Sequence, residues 1–87
     1  MPGAERHRAL ALTNARSVTE RAWVLVCLGV ALRQSRDYQG ALKMLDAAVA
    51  LGPSPRALRA AYLCALAVHT DRGDYEAARR ISRSMPD

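Results

Sequence analysis

Apolar residues recur at helical spacing in blocks separated by short polar or Gly/Pro breaks. The first block is an unbroken apolar run, residues 22–32, closed by Arg21 and Arg33. A polar turn, 34–37, follows. Tyr38, Ala41, Leu42, Leu45, Ala48 and Val49 then recur every three or four positions until Gly52 and Pro53 stop the pattern. That order of helix, turn, helix and stop predicts an αα-hairpin. Ser54-Pro55 restarts it. A helix is predicted over 56–70, a turn at Asp71-Arg72-Gly73, and a last helix with Tyr75, Ala78, Ile81 and Met85 inward and Arg79, Arg80 and Arg83 outward. Asp74-Tyr75-Glu76-Ala77-Ala78 restates Asp37-Tyr38-Gln39-Gly40-Ala41, 37 residues later.

Local chemistry sets the expected ends. Residues 4–15 can form a short N-terminal helix, with Glu5 near its positive end and Ala9, Leu10 and Leu12 as its sizeable apolar positions. It is expected to break at Thr13-Asn14 and either to dock on the first hairpin or to stand as a mobile arm. Ser17-Val18-Thr19-Glu20 has the form of a capping box, so the next helix is expected from about Val18 to Gln34. Its inward face is expected to carry Ala22, Leu25, Leu28, Gly29 and Leu32, and the opposite face Trp23, Val26 and Val30. Asp37 and Ser54 are candidate N-caps, the latter with Pro55 at the first helical position. Gln39, Lys43 and Asp46 are expected outward.

Composition supports helices and limits the core. Of 87 residues 51% are hydrophobic, yet Phe is absent and Ala is abundant. Ala favours helix and buries little area per residue. The chain is read as one all-α domain. The formal charge of +5 comes nearly all from Arg, spread along the chain rather than massed, with none in residues 37–55. That spread suits general solubility better than one massed anion site. Cys27 and Cys64 lie inside apolar runs without metal or C-x-x-C spacing, so buried free thiols are expected, a disulfide between adjacent helices being the other reading. The run 22–32 is shorter than the roughly 20 residues a membrane span needs, and no secretory leader is legible. No membrane insertion and a cytoplasmic location are expected.

Catalysis requires convergent polar groups, and none is apparent. His7 and His69 lack partners at ligand or triad spacing, and the acids Asp74 and Glu76 suit a helix start. No enzyme activity, cofactor or metal is therefore expected. Arg79, Arg80 and Arg83 share one helix face, and Arg56 and Arg59 another, but the only aromatics are Trp23 and three tyrosines. A nucleic-acid stacking platform is disfavoured on that ground.

Leu25, Leu28, Gly29 and Leu32, the turn Arg36-Asp37-Tyr38, then Ala41, Leu45, Ala48 and Pro53 resemble one tetratricopeptide repeat (TPR). Gly73-Asp74-Tyr75-Glu76 resembles the family turn more closely. The resemblance covers about residues 18–86. It implies two TPR-like antiparallel hairpins in a right-handed stack, bounded at 17–53 and 54–87, beside the helix at 4–15. Gly29 and Ala41 would be small so that the paired helices approach closely. Two alignments of the second repeat are open. A shift of 36, with one extra turn residue, places Ala61, Cys64, Ala65 and Val68 at the core positions of the first repeat. A shift of 37 places Tyr62, Ala65, Leu66 and His69 there. The first is preferred because the second buries His69.

In TPR proteins the first helices of the repeats line a concave groove. Carried over by position, that groove would hold Trp23, Val26, Val30, Arg33 and Gln34, then Arg59, Tyr62, Leu66, His69 and Thr70. The resemblance implies a protein partner presenting an amphipathic helix, with Trp23 as anchor and Arg33 and Arg59 selecting acidic groups. A narrower resemblance is to small TPR-like cytoplasmic chaperones of bacterial type III secretion, of the kind that partners the needle subunit. The competing readings are a general TPR adaptor or scaffold, and a self-associating regulatory fragment. In the latter, the Trp23–Val26–Val30 stripe is closed by the N-terminal helix or by a second copy in a homo-oligomer.

Overall fold

The computed structural model describes the backbone of residues 2–86 and the side chains of residues 16–86. Four helices follow one another: α1 Pro2–Gln34, α2 Tyr38–Ala50, α3 Pro55–Asp71 and α4 Tyr75–Ser84. The described residues contain no strand. Sequential helices pack as hairpins, and α1 also packs against α3, so the two hairpins stack. The all-α hairpin architecture expected from the periodicity is the one observed.

Three helix starts follow the predicted chemistry. Asp37 Oδ1 accepts the Gly40 N–H at 3.0 Å and Asp74 Oδ1 accepts the Ala77 N–H at 3.2 Å. Ser54 Oγ accepts the Ala57 N–H at 3.4 Å, with Pro55 where its missing donor costs nothing. Gly52, at φ +64°, takes the left-handed conformation that ends α2.

The start of α1 differs from expectation. The separate helix at 4–15, the break at Thr13-Asn14 and the cap at Ser17 are replaced by one helix of 33 residues. No Gly or Pro stands between Gly3 and Gly29, and Thr, Asn and Ser each cost a helix interior only about 0.5 kcal/mol. A new helix start there would strand up to four backbone N–H groups, which is dearer. Ser17 and Glu20, three apart, fit a helix interior as well as a cap. The expected docking positions Ala9, Leu10 and Leu12 lie outside the described side chains.

The core is thin, as the composition implied. Ala22, Val26, Ala41, Leu45, Ala48, Ala57, Ala61, Ala65 and Val68 form one buried cluster across α1, α2 and α3. Only Leu45 and Val68 among its fully buried members are larger than Ala. Gly29 permits the closeness: a Cβ there would sit 2.9 Å from Leu45 Cγ and Cδ2. On α1 the expected inward face is partly rotated. Ala22, Leu25, Gly29 and Leu32 do turn inward, whereas Leu28 is 46% exposed and Val26 is buried. The cause is that α1 is covered from two sides, by α2 and by α3, so its buried arc is centred between them. Tyr38 packs against the core, but its counterpart Tyr75 is 65% exposed, there being nothing beyond α4 among the described residues to cover it.

Candidate binding groove along α1 and α3

The turns fix how the two hairpins correspond. Ser35 N–H donates to Ala31 O, Arg36 N–H to Arg33 O, and Asp37 N–H to Leu32 O. In the second hairpin Arg72 N–H donates to Val68 O, Gly73 N–H to Thr70 O, and Asp74 N–H to His69 O. Each bond recurs 37 residues on. The preferred shift of 36 with an extra turn residue is thereby corrected: the turns are of equal length. Arg36, at φ +63°, holds the left-handed position that Gly73 holds at +76°.

The apolar spacing of α3 misled because that helix has two covered sides. Ala57, Ala61, Ala65 and Val68 are buried in the cluster shared with α1 and α2. Those are largely the residues the shorter shift selected. They face the preceding hairpin, and Ile81 of α4 packs against the same cluster. With the hairpins matched at 37, Tyr62, Leu66 and His69 are the counterparts of Leu25, Gly29 and Leu32, and all three are half-buried. His69 therefore does take a packing position. Its Nδ1 is buried and has no hydrogen-bond partner.

The ten expected groove residues do not form one set. On α1, Trp23 is 37% exposed, Val30 half-buried and Gln34 exposed. At 100° per residue these three share one side of the helix. Val26 belongs to the core at 5% exposure. Arg33 is held by Asp71, its Nε donating to Oδ2 at 2.6 Å and Nη2 to Oδ1 at 3.3 Å. On α3, the counterparts of Trp23, Val30 and Gln34 are Ala60, Ala67 and Asp71, not Arg59, Leu66 and Thr70, which lie about 100° away around the helix. Arg59 is exposed, and Tyr62 and His69 are half-buried. Thr70 is exposed, its hydroxyl donating to Leu66 O at 2.8 Å.

Trp23 and Val30 on α1 thus correspond to the small Ala60 and Ala67 on α3. Leu63, the counterpart of Val26, is 45% exposed beside them. The ion pair spans the two helix C-termini. The bond from Arg33 holds the Asp71 carboxyl below its ordinary range, and the bond to Asp71 raises the Arg33 guanidinium in turn. Sequence spacing did not show this pair because its members are 38 positions apart on helices whose alignment was open.

Cys27 and Cys64 are counterparts on this side. Both are free, and Cys27 is exposed where burial was expected, since it lies away from both α2 and α3. Burial pushes the Cys64 thiol up, against a smaller lowering by Arg33. A separate open apolar depression of ≈ 360 Å³ is bounded by Arg21, Val24, Leu25 and Leu51. Among the described residues no group of three His, Cys, Asp or Glu side chains could hold a metal ion, and no helix is long and apolar enough to cross a membrane. Compared with protein-family models, with characterised proteins and with solved structures, the chain finds no match in any of the three.

Proposed function

We propose that the protein is a non-enzymatic, TPR-like interaction module that holds an amphipathic helical segment of a partner protein against α1 and α3. The observation that carries this is the partly exposed Trp23 on the same side of α1 as Val30, their counterparts on α3 being the small Ala60 and Ala67. A partly exposed large aromatic suits contact with an apolar side chain of a partner, and Trp is among the residue types most enriched at such hot spots. Arg33 is already neutralised by Asp71, so recognition rests on apolar anchors more than on acidic groups of the partner. Chaperoning of a self-polymerising secretion subunit is the narrower form of this reading, and a general adaptor its broader form.

The test begins with a nuclease-treated pull-down of the tagged chain from its own cells. The helical segment of the recovered partner is then titrated against the pure protein. Trp23 is the sole tryptophan, so its emission should shift to the blue on binding. Trp23→Ala should weaken binding at least about tenfold with helicity unchanged, the loss of a 1.4 kcal/mol contact. Replacing Arg79, Arg80 and Arg83 together should leave binding intact. Loss of binding in that triple variant, with Trp23→Ala unaffected, would replace the groove with an electrostatic surface.

A further inference from the structure

The molecule contains one interface between hairpins and exposes both halves of a second. The α3 side of the internal interface is the stripe Ala57, Ala61, Ala65 and Val68. The side that receives it includes Ala22 and Val26 of α1 with Leu45 and Ala48 of α2. A polar contact closes each end: the Ser54 N–H donates to Thr19 Oγ1 at 3.2 Å, and Arg33 pairs with Asp71.

Matched at 37 residues, the stripe on α3 has its counterpart on α1 in Glu20, Val24, Leu28 and Ala31. All four are exposed, Val24 at 59% and Leu28 at 46%. They follow the same helical spacing as the buried stripe, so they form one face. The open depression at Arg21, Val24, Leu25 and Leu51 borders it. The receiving side has its counterpart on α3 in Arg59 and Leu63, also exposed. One hairpin end therefore offers an uncovered docking stripe, and the other an uncovered receiving face.

We infer that a second copy of this chain covers the α1 stripe, head to tail, with the α3–α4 end of one copy receiving the α1 stripe of the next. The internal interface is the template for that geometry. Charge agrees with it. Ala22, one turn beyond Thr19, and Ala57, one turn beyond Ser54, enter the cluster together. Their counterparts are Arg59 and Glu20, opposite charges brought together across the contact between copies. Leu28 of one copy would meet Leu63 of the next where Ala65 and Val26 share the internal cluster. The receiving face is weaker on the α4 side, where Ser82 stands in place of Leu45. Association is therefore modest and concentration-dependent. Because the two faces differ, it is heterologous and does not close at two copies. The docking stripe on α1 lies away from the Trp23 side, whereas Leu63 borders Ala60 and Ala67; Leu28→Glu is therefore the variant that tests association independently of the groove.

The experiment is light scattering on the full chain over a concentration series, under reducing conditions because Cys27 is exposed. The wild-type weight-average mass should climb from 9.5 kDa through two copies and beyond. Leu28→Glu lacks the docking stripe and Leu63→Glu the receiving face, so each alone should stay monomeric. Mixed, they should form a 1:1 dimer that does not grow, since each supplies one intact face. A wild type that stays monomeric at every concentration overturns the proposal. So does a two-fold dimer lost in Leu28→Glu but kept in Leu63→Glu, or a mixture that stays monomeric. Circular dichroism checks the fold of both variants. If either unfolds, Glu20→Arg and Arg59→Glu replace them: each should weaken association, and the double variant should restore it.

Discussion

In the first hairpin a large side chain on α2, Leu45, fills the space above Gly29 on α1. In the second hairpin the sizes are reversed: Leu66 on α3 holds the Gly29 position, and Ser82 on α4 holds that of Leu45. The turns are the same and the caps are the same, down to matching backbone angles at Asp37 and Asp74. What differs is which helix carries the larger residue, and Ser82 is exposed where Leu45 is buried. A hairpin of this design is specified by its turn and by the sum of two facing volumes, so neither position alone reveals the fold.

Giving the first hairpin the size order of the second tests that idea with the largest expected effect. Gly29→Leu alone should cost about 3 kcal/mol by overpacking against Leu45. Leu45→Ser alone should cost a similar amount by leaving a cavity. For a domain this small each would lower Tm by more than about 12 °C. Combined, they should recover at least about 1 kcal/mol relative to the sum, read from a double-mutant cycle in urea. Strict additivity would sink the account of paired volumes.

Two smaller changes make one hairpin more like the other. His69 stands where Leu32 stands in the first hairpin and leaves a buried nitrogen unpaired. His69→Leu should stabilise by about 1 kcal/mol, the lower end of the cost of an unsatisfied buried group. Arg36 holds a left-handed conformation that its counterpart Gly73 takes freely. Arg36→Gly should stabilise by about 0.5 kcal/mol, the steric gain exceeding the entropy that glycine loses. Both are read as shifts in the urea midpoint at constant slope.

The smallest effect belongs to the ion pair that joins the hairpins. Because Asp71 is held below its unfolded value of about 3.9, it stabilises the fold above that pH. The contribution is lost as pH falls through the lowered folded value. Wild type and Asp71→Asn should thus differ slightly at neutral pH and converge in acid. Added salt should narrow the neutral-pH difference, since the pair is partly exposed.

Much of this fold was legible because its punctuation is local. Asp37, Ser54-Pro55 and Gly52 act within a few residues of where they stand, and each did what its chemistry predicts. The Ser17–Glu20 spacing was ambiguous for the opposite reason: it becomes a cap only if the residue before it leaves the helix, and nothing nearby forces that. Of the expected groove residues on α1, Trp23, Val30 and Gln34 share one side of the helix. The residues expected on α3 were offset by one position because its apolar spacing fits both the buried cluster Ala57, Ala61, Ala65 and Val68 and the half-buried Tyr62, Leu66 and His69. Periodicity reports that a face is covered, not by what. The turn hydrogen bonds, invisible in the sequence, decide between the stripes.

A core built so largely of alanine also sets how the protein responds to temperature. The heat-capacity increment of unfolding arises from apolar surface newly hydrated, about 0.45 cal/mol/K per Å², offset by polar surface. Alanine contributes little of the former while its backbone contributes fully to the latter. Calorimetry should therefore find an increment below the usual 12–15 cal/mol/K per residue. The stability curve of such a chain is low and flat, so that it loses little on cooling and melts over a wide interval, without the sharp thermal limit of a domain packed on leucine and phenylalanine.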